Sequence, residues 1–138
     1  MKIVSEKAMA RFATDYAKKL SLPAVIVLTG DVGAGKTTFT RALAMALGVT
    51  DTVVSPSFTI SKRYNLLGGG ELIHYDFYRL DDPGLMAEDL AEAISLPDSV
   101  VVIEWGQDVL ELVPDNAHFL TFAINDDGSR TVTEGRPA

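Results

Sequence analysis

Two stretches of the chain are apolar without interruption, residues 24–28 (AVIVL) and 100–103 (VVVI). Short and rich in β-branched side chains, each predicts a buried strand, and the second reads as parallel to its neighbours. Elsewhere polar and apolar positions alternate. Residues 58–64 alternate and are followed by a loop at 65–71 with three consecutive glycines, then by a returning run at 72–75, so 57–76 predicts an antiparallel pair. Residues 118–124 and 129–133 flank Asn125-Asp126-Asp127-Gly128, which predicts a terminal hairpin, and residues 2–4 read as a short strand. Helical spacing appears in four places. Met9, Phe12, Ala13, Tyr16, Ala17 and Leu20 form one face of an amphipathic helix, with Ser5 as N-cap, Glu6 in the first turn and Lys18 and Lys19 at the end. A second helix is predicted at 38–47, with Phe39, Leu43, Ala46 and Leu47 apolar and Gly48 ending it. A third covers about 85–93 behind Pro83, and a short one covers 107–112 before Pro114.

Strand, loop and helix meet at one motif. Gly30-Asp31-Val32-Gly33-Ala34-Gly35-Lys36-Thr37 matches G-x-x-x-x-G-K-[ST], the phosphate-binding P-loop. Gly33 and Gly35 can take positive φ, so successive backbone N–H groups can turn inward around a phosphate. The helix that follows aims its N-terminal N–H groups at the same point. Lys36 is placed to reach the β- and γ-phosphates, and the Thr37 hydroxyl suits Mg²⁺, a cation that takes oxygen ligands. The fold class expected is α/β: a P-loop NTPase-like mixed sheet flanked by helices, in a single domain spanning 1–138.

Composition narrows the partners. A net charge of −7 and a pI near 4.7 argue against a broad nucleic-acid surface, so any RNA enters through a partner protein. The absence of cysteine excludes disulfides and thiolate metal sites. No apolar run approaches a membrane span and the start has no signal-peptide pattern, so the expectation is a cytoplasmic protein with no membrane association.

A P-loop site needs an acid at the end of a neighbouring strand to hold Mg²⁺ directly or through water. Glu104 ends the VVVI run and Asp76 ends the run at 72–75; Glu104 is the stronger candidate, because four apolar residues deliver it to a strand end. Ser55, Ser57 and Thr59, around Pro56, occupy the place where small NTPases keep an order–disorder switch. His74 reads as a strand residue rather than a metal ligand, and Arg79 as either a structural ion-pair partner or a cation near the phosphates.

Three kinds of P-loop protein compete: a small-molecule kinase, a regulatory nucleotide switch and an accessory ATPase. A kinase needs an acceptor pocket and an Arg-bearing lid, for which 138 residues leave little room. A guanine-specific switch carries N-K-x-D, and no Asn here is followed by Lys. The accessory ATPase fits the size best.

The stretches GDVGAGKTTFTRALAMALG, SPSFTI, HYDFYRL and VVVIEWG, in this order, resemble the TsaE (also called YjeE) family across about 3–133. These are bacterial ATPases needed for threonylcarbamoyladenosine modification of tRNA. The resemblance implies Mg-ATP bound at Gly33, Ala34, Gly35, Lys36, Thr37 and Thr38. It implies Thr37 and Glu104 as Mg²⁺ ligands, Asp76 as the acid required for hydrolysis and 55–59 as the switch-like segment. Arg130 resembles a family position near the nucleotide, and Trp105 is implied beside the site. The family acts with TsaD and TsaB, which transfer the threonylcarbamoyl group to adenosine 37, so the resemblance implies an ATP cycle that drives or resets that pair. Ser57 stands where Thr is commoner, Ala42 and Ala46 where Gly is frequent, and Gln107 where an acid is frequent; none of these removes an implied phosphate or metal contact.

Overall fold

The computed structural model describes residues 1–30, 33–49, 61–77, 87–104 and 107–136. Both uninterrupted apolar runs lie side by side in the middle of one seven-stranded sheet, as β2 (Ala24–Gly30) and β5 (Ser99–Glu104). The two pair in parallel, with Ala24 opposite Val100 and Leu28 opposite Glu104. All six residues of β5 are buried, as an apolar run with helices on both sides requires. The expected antiparallel pair is β3 (Ser61–Asn65) with β4 (Glu71–Asp76), and β4 lies parallel to β5. Asn65 and Glu71, read as loop, are the last and first residues of these strands.

On the other side of β2 lies β6 (His118–Ile124), also parallel to it, followed by the antiparallel β7 (Arg130–Glu134). The short strand β1 (Lys2–Ile3) closes that edge against β7. The order across the sheet is β1-β7-β6-β2-β5-β4-β3. At the β6–β7 turn, Asp127 Oδ1 accepts from the Ser129 amide (2.9 Å) and hydroxyl (2.6 Å), and Asp127 Oδ2 lies 3.0 Å from Lys2 Nζ. The Ser129 bonds first, then Lys2, hold the Asp127 carboxyl down at about 2.

Side chains two apart along each strand share a face, which sorts the core into two layers. One layer takes Ile26, Leu28, Leu72, Val100, Val102, Leu120 and Phe122 against α1 (Glu6–Lys19) and α2 (Lys36–Ala46). Helix α1 begins as expected, with the Ser5 hydroxyl accepting from the Ala8 amide at 3.1 Å, and buries Met9, Ala13 and Tyr16. Helix α2 starts two residues earlier than its apolar spacing suggests, because the glycine turn before it ends at Gly35. Its buried apolar residues are Phe39, Leu43 and Ala44, with Thr40 beside them; Ala46, on the apolar face by periodicity, is exposed. Gly48 follows it with φ +92°. The opposite layer takes Val25, Val27, Ile73, Tyr75, Val101, Ile103 and Phe119 against α3 (Ala87–Ser95) and the segment 112–113. The Tyr75 hydroxyl donates to Asp89 Oδ2 at 2.5 Å, tying α3 to β4. The short helix at Gln107–Leu112 is of the 3₁₀ type. No helix among the described residues is long and apolar enough to cross a membrane.

Candidate functional site

The site is built at the carboxyl edge of the parallel strands, where open α/β sheets gather ligands. Helix α2 is held there by an aromatic stack. The Phe39 ring lies 5.8 Å from Phe12, 5.7 Å from Tyr16 and 5.7 Å from Phe122, locking α2 between α1 and β6. Its N-cap is Gly35, with φ +108° and no side-chain cap hydrogen bond among the described residues. A glycine-capped helix N-terminus of this kind, with its amides facing the turn, fits a phosphate group.

The glycines of the motif do different work. Gly33 is exposed with φ +84°, and a Cβ there would meet nothing within 4 Å, so it serves the backbone turn alone. Gly30 has φ +136°, and a Cβ there would lie 2.2 Å from the Phe122 carbonyl oxygen. The first glycine therefore lets β6 come alongside β2 at the mouth of the loop. Motif reading assigned roles to Gly33 and Gly35 and missed this one, because the neighbour that demands it lies far along the chain. Between them, Ala34 is buried in the α1–α2 layer. The Lys36 amine, 5% exposed with its residue, donates to the Gly30 carbonyl, which keeps the charge inside the loop. Thr37 and Thr38, both half-buried, lie in the first turn of α2.

Two carboxylates meet at the same edge. Glu104 is the last residue of β5 and Asp76 the last of β4, and they stand directly opposite each other. Glu104 also stands opposite Leu28, whose side chain lies in the α1–α2 layer. Strand alternation therefore puts Glu104 and Asp76 on the face of the sheet that carries α2. Glu104 is only 3% exposed. Its Oε2 lies 2.5 Å from Nε2 of His74, a fully buried ring two residues before Asp76. The Phe77 amide donates to the Glu104 backbone carbonyl at 3.0 Å. His74 is a strand residue, as expected, but its partnership with Glu104 was not foreseen; the His-x-Asp spacing, which places both on one face, was the available signal.

Thr37, Glu104 and Asp76 offer oxygen donors of the kind Mg²⁺ takes. Among the described residues no three His, Asp or Glu side chains cluster into a metal cage. Arg130 opens β7 opposite Ile124, the last residue of β6, and so sits at the same edge of the sheet; its guanidinium donates to the Gly128 carbonyl at 2.5 Å. Ser55, Ser57, Thr59, Arg79 and Trp105 lie outside the described residues.

A family model described as threonylcarbamoyl adenosine biosynthesis protein TsaE matches residues 3–132. A Streptomyces coelicolor protein named tRNA threonylcarbamoyladenosine biosynthesis protein TsaE is 46% identical over 104 residues, covering 75% of this chain and 70% of the relative. A Treponema pallidum protein of the same name is 34% identical over 135 residues, covering 96% and 98%. Among solved structures, YdiB of Bacillus subtilis superposes with a TM-score of 0.74 at 28% identity, covering 97% of this chain and 82% of that one. A match that begins in β1 and ends in β7, shared by relatives of similar length, spans the loop, both carboxylate-bearing strands and the closing hairpin. This chain belongs to the TsaE family.

Proposed function

We propose that this chain is a Mg²⁺-dependent, ATP-binding P-loop ATPase that supports threonylcarbamoylation of adenosine 37 in tRNA, acting on TsaD- and TsaB-like proteins in the cytoplasm. One observation carries the reading: the glycine-capped N-terminus of α2 and the register-paired Glu104 and Asp76 share one face and one edge of the sheet. In this reading the backbone N–H groups from Gly33 to Thr38 cradle the phosphates. Lys36 leaves the Gly30 carbonyl and turns its ammonium to the β- and γ-phosphates. The Thr37 hydroxyl and Glu104 hold Mg²⁺, which supplies charge neutralisation at the phosphates. Asp76 is the acid required for hydrolysis, orienting the attacking water, and Arg130 contributes a cation near the nucleotide. Ser55, Ser57 and Thr59 form the segment that responds to the γ-phosphate.

RNA reaches the system through the partners, since the chain's own charge is −7. A nucleotide cycle can drive a partner complex only if the ATP-bound form docks one state of it better than another. Steady-state Mg-ATP hydrolysis, measured alone and with a reconstituted TsaB–TsaD pair, tests the reading. Slow turnover alone that rises with the pair supports it. Turnover indifferent to the pair refutes partner coupling and points to a self-contained NTPase or kinase.

A further inference from the structure

A carboxylate that is 3% exposed needs a donor, since burying an unpaired charge costs several kcal/mol. For Glu104 that donor is His74, the one hydrogen-bonding partner of its carboxylate among the described residues. A carboxylate oxygen offers lone pairs alone, so Nε2 of His74 carries the proton in this contact. The other ring nitrogen, Nδ1, is buried with no partner among the described residues, which matches a bare lone pair there. The ring itself cannot swing away: it is fully buried on β4, opposite Val102 on one side and Lys62 on the other. Phe77, the residue after Asp76, completes the frame: its amide holds the Glu104 backbone while His74 holds the Glu104 side chain.

We propose that His74 is a positioning residue: it anchors Oε2 of Glu104 in the core and thereby dedicates Oε1 to the coordination sphere of the nucleotide's divalent cation. This rests on the ATP and Mg²⁺ reading above and extends it to a side chain that touches neither nucleotide nor metal. A ligating carboxylate hydrogen-bonded in this way has one oxygen and one direction to offer, and loss of such an outer partner typically weakens metal binding about 10–100-fold. A merely structural histidine would fill space and satisfy the buried acid, without any bias toward the metal.

The two roles separate by substitution. His74→Leu keeps the volume and removes the donor. His74→Gln keeps an N–H near the position of Nε2. Calorimetric titration of ATP into wild type and both variants, each with Mg²⁺ and with a chelator, gives the factor by which the metal strengthens binding. We expect His74→Leu to leave metal-free affinity unchanged and to shrink that factor about tenfold or more, with His74→Gln restoring most of it. An unchanged factor in His74→Leu, an equal loss with and without metal, or no rescue by His74→Gln overturns the proposal. A wild-type protein whose ATP affinity ignores Mg²⁺ overturns the metal-site reading itself, a distinct result. Nitrogen NMR of the free protein adds an arm that survives poor folding of His74→Leu. The chain has two histidines, so the signals are readily assigned, and His74 must show the proton on Nε2. A proton on Nδ1 alone overturns the proposal.

Discussion

Gly30→Ala makes the sharpest test of how β6 is held beside β2 at the start of the glycine-rich motif. An added Cβ would lie 2.2 Å from the Phe122 carbonyl oxygen, on a backbone with φ +136°. That φ belongs to a region essentially reserved for glycine, and forcing alanine into it costs about 1–3 kcal/mol. Relieving the contact requires β2 and β6 to part by about 1 Å at their carboxyl ends, an overpacking that costs a further 1–3 kcal/mol or so. The sum is about 4 kcal/mol. For a chain of this size a loss of that order lowers Tm by roughly 12 °C. Gly33→Ala is the internal control: φ is +84° with nothing within 4 Å of the added carbon, so only backbone strain remains. That strain is about 1 kcal/mol, or roughly 3 °C. Thermal unfolding of both variants beside wild type, by calorimetry without nucleotide, reads the difference directly. A Gly30→Ala protein that melts within about 3 °C of wild type, or together with Gly33→Ala, would refute the argument that the first glycine exists for the approach of β6.

Lys36→Ala should fold and weaken Mg-ATP binding about tenfold to a hundredfold, the worth of a charge-assisted contact to phosphate, by calorimetric titration; unchanged affinity would remove the loop from the site. Asp76→Asn and Glu104→Gln should keep the sheet, as judged by far-UV circular dichroism, and lose most ATP turnover; full activity in both would leave the carboxylate edge without a role. Asp127 has its carboxyl lowered from 3.8 to about 2 by Ser129 and Lys2, so its contribution to stability is full above pH 3.8 and is lost as pH falls through about 2. Asp127→Asn should therefore unfold at lower urea than wild type at pH 7, and the gap should close near pH 2; a gap independent of pH would contradict this. ATP should bind more tightly than GTP in a competition titration, and equal affinity would revive a nucleotide switch.

Much of this architecture could be read from side-chain pattern. The strands β2 and β5 were legible because layers on both faces force every position apolar, and the turn at 125–128 because its residues suit tight reversal. The cap at Ser5 and the glycine turn that ends at Gly35 are local chemistry, and local chemistry is written in adjacent letters. What stayed hidden depends on distant neighbours. Nothing near 118–124 says that this strand lies parallel to β2 rather than at an edge, and the need for Gly30 follows only from that placement. Likewise, alternation could mark His74 as inward-facing, but its partner sits thirty residues on, at the end of another strand. The register that joins β4 to β5 is what turns two acids at two strand ends into one paired site.

The closing edge of the sheet has a consequence for the order in which the molecule is made. Met1 donates its amino group to the Val132 carbonyl at 2.7 Å, across a sequence separation of 131 residues, and Lys2 and Ile3 pair with Thr131 and Arg130. Residues 2–3 thus leave the ribosome well before 130–131, the residues they pair with. Until β7 has emerged and folded back on β6, the start of the chain has no strand to join, and such long-range pairings are slow to form. Completion of this edge therefore waits for β7, a seam sewn after the central strands β2 and β5 have been made.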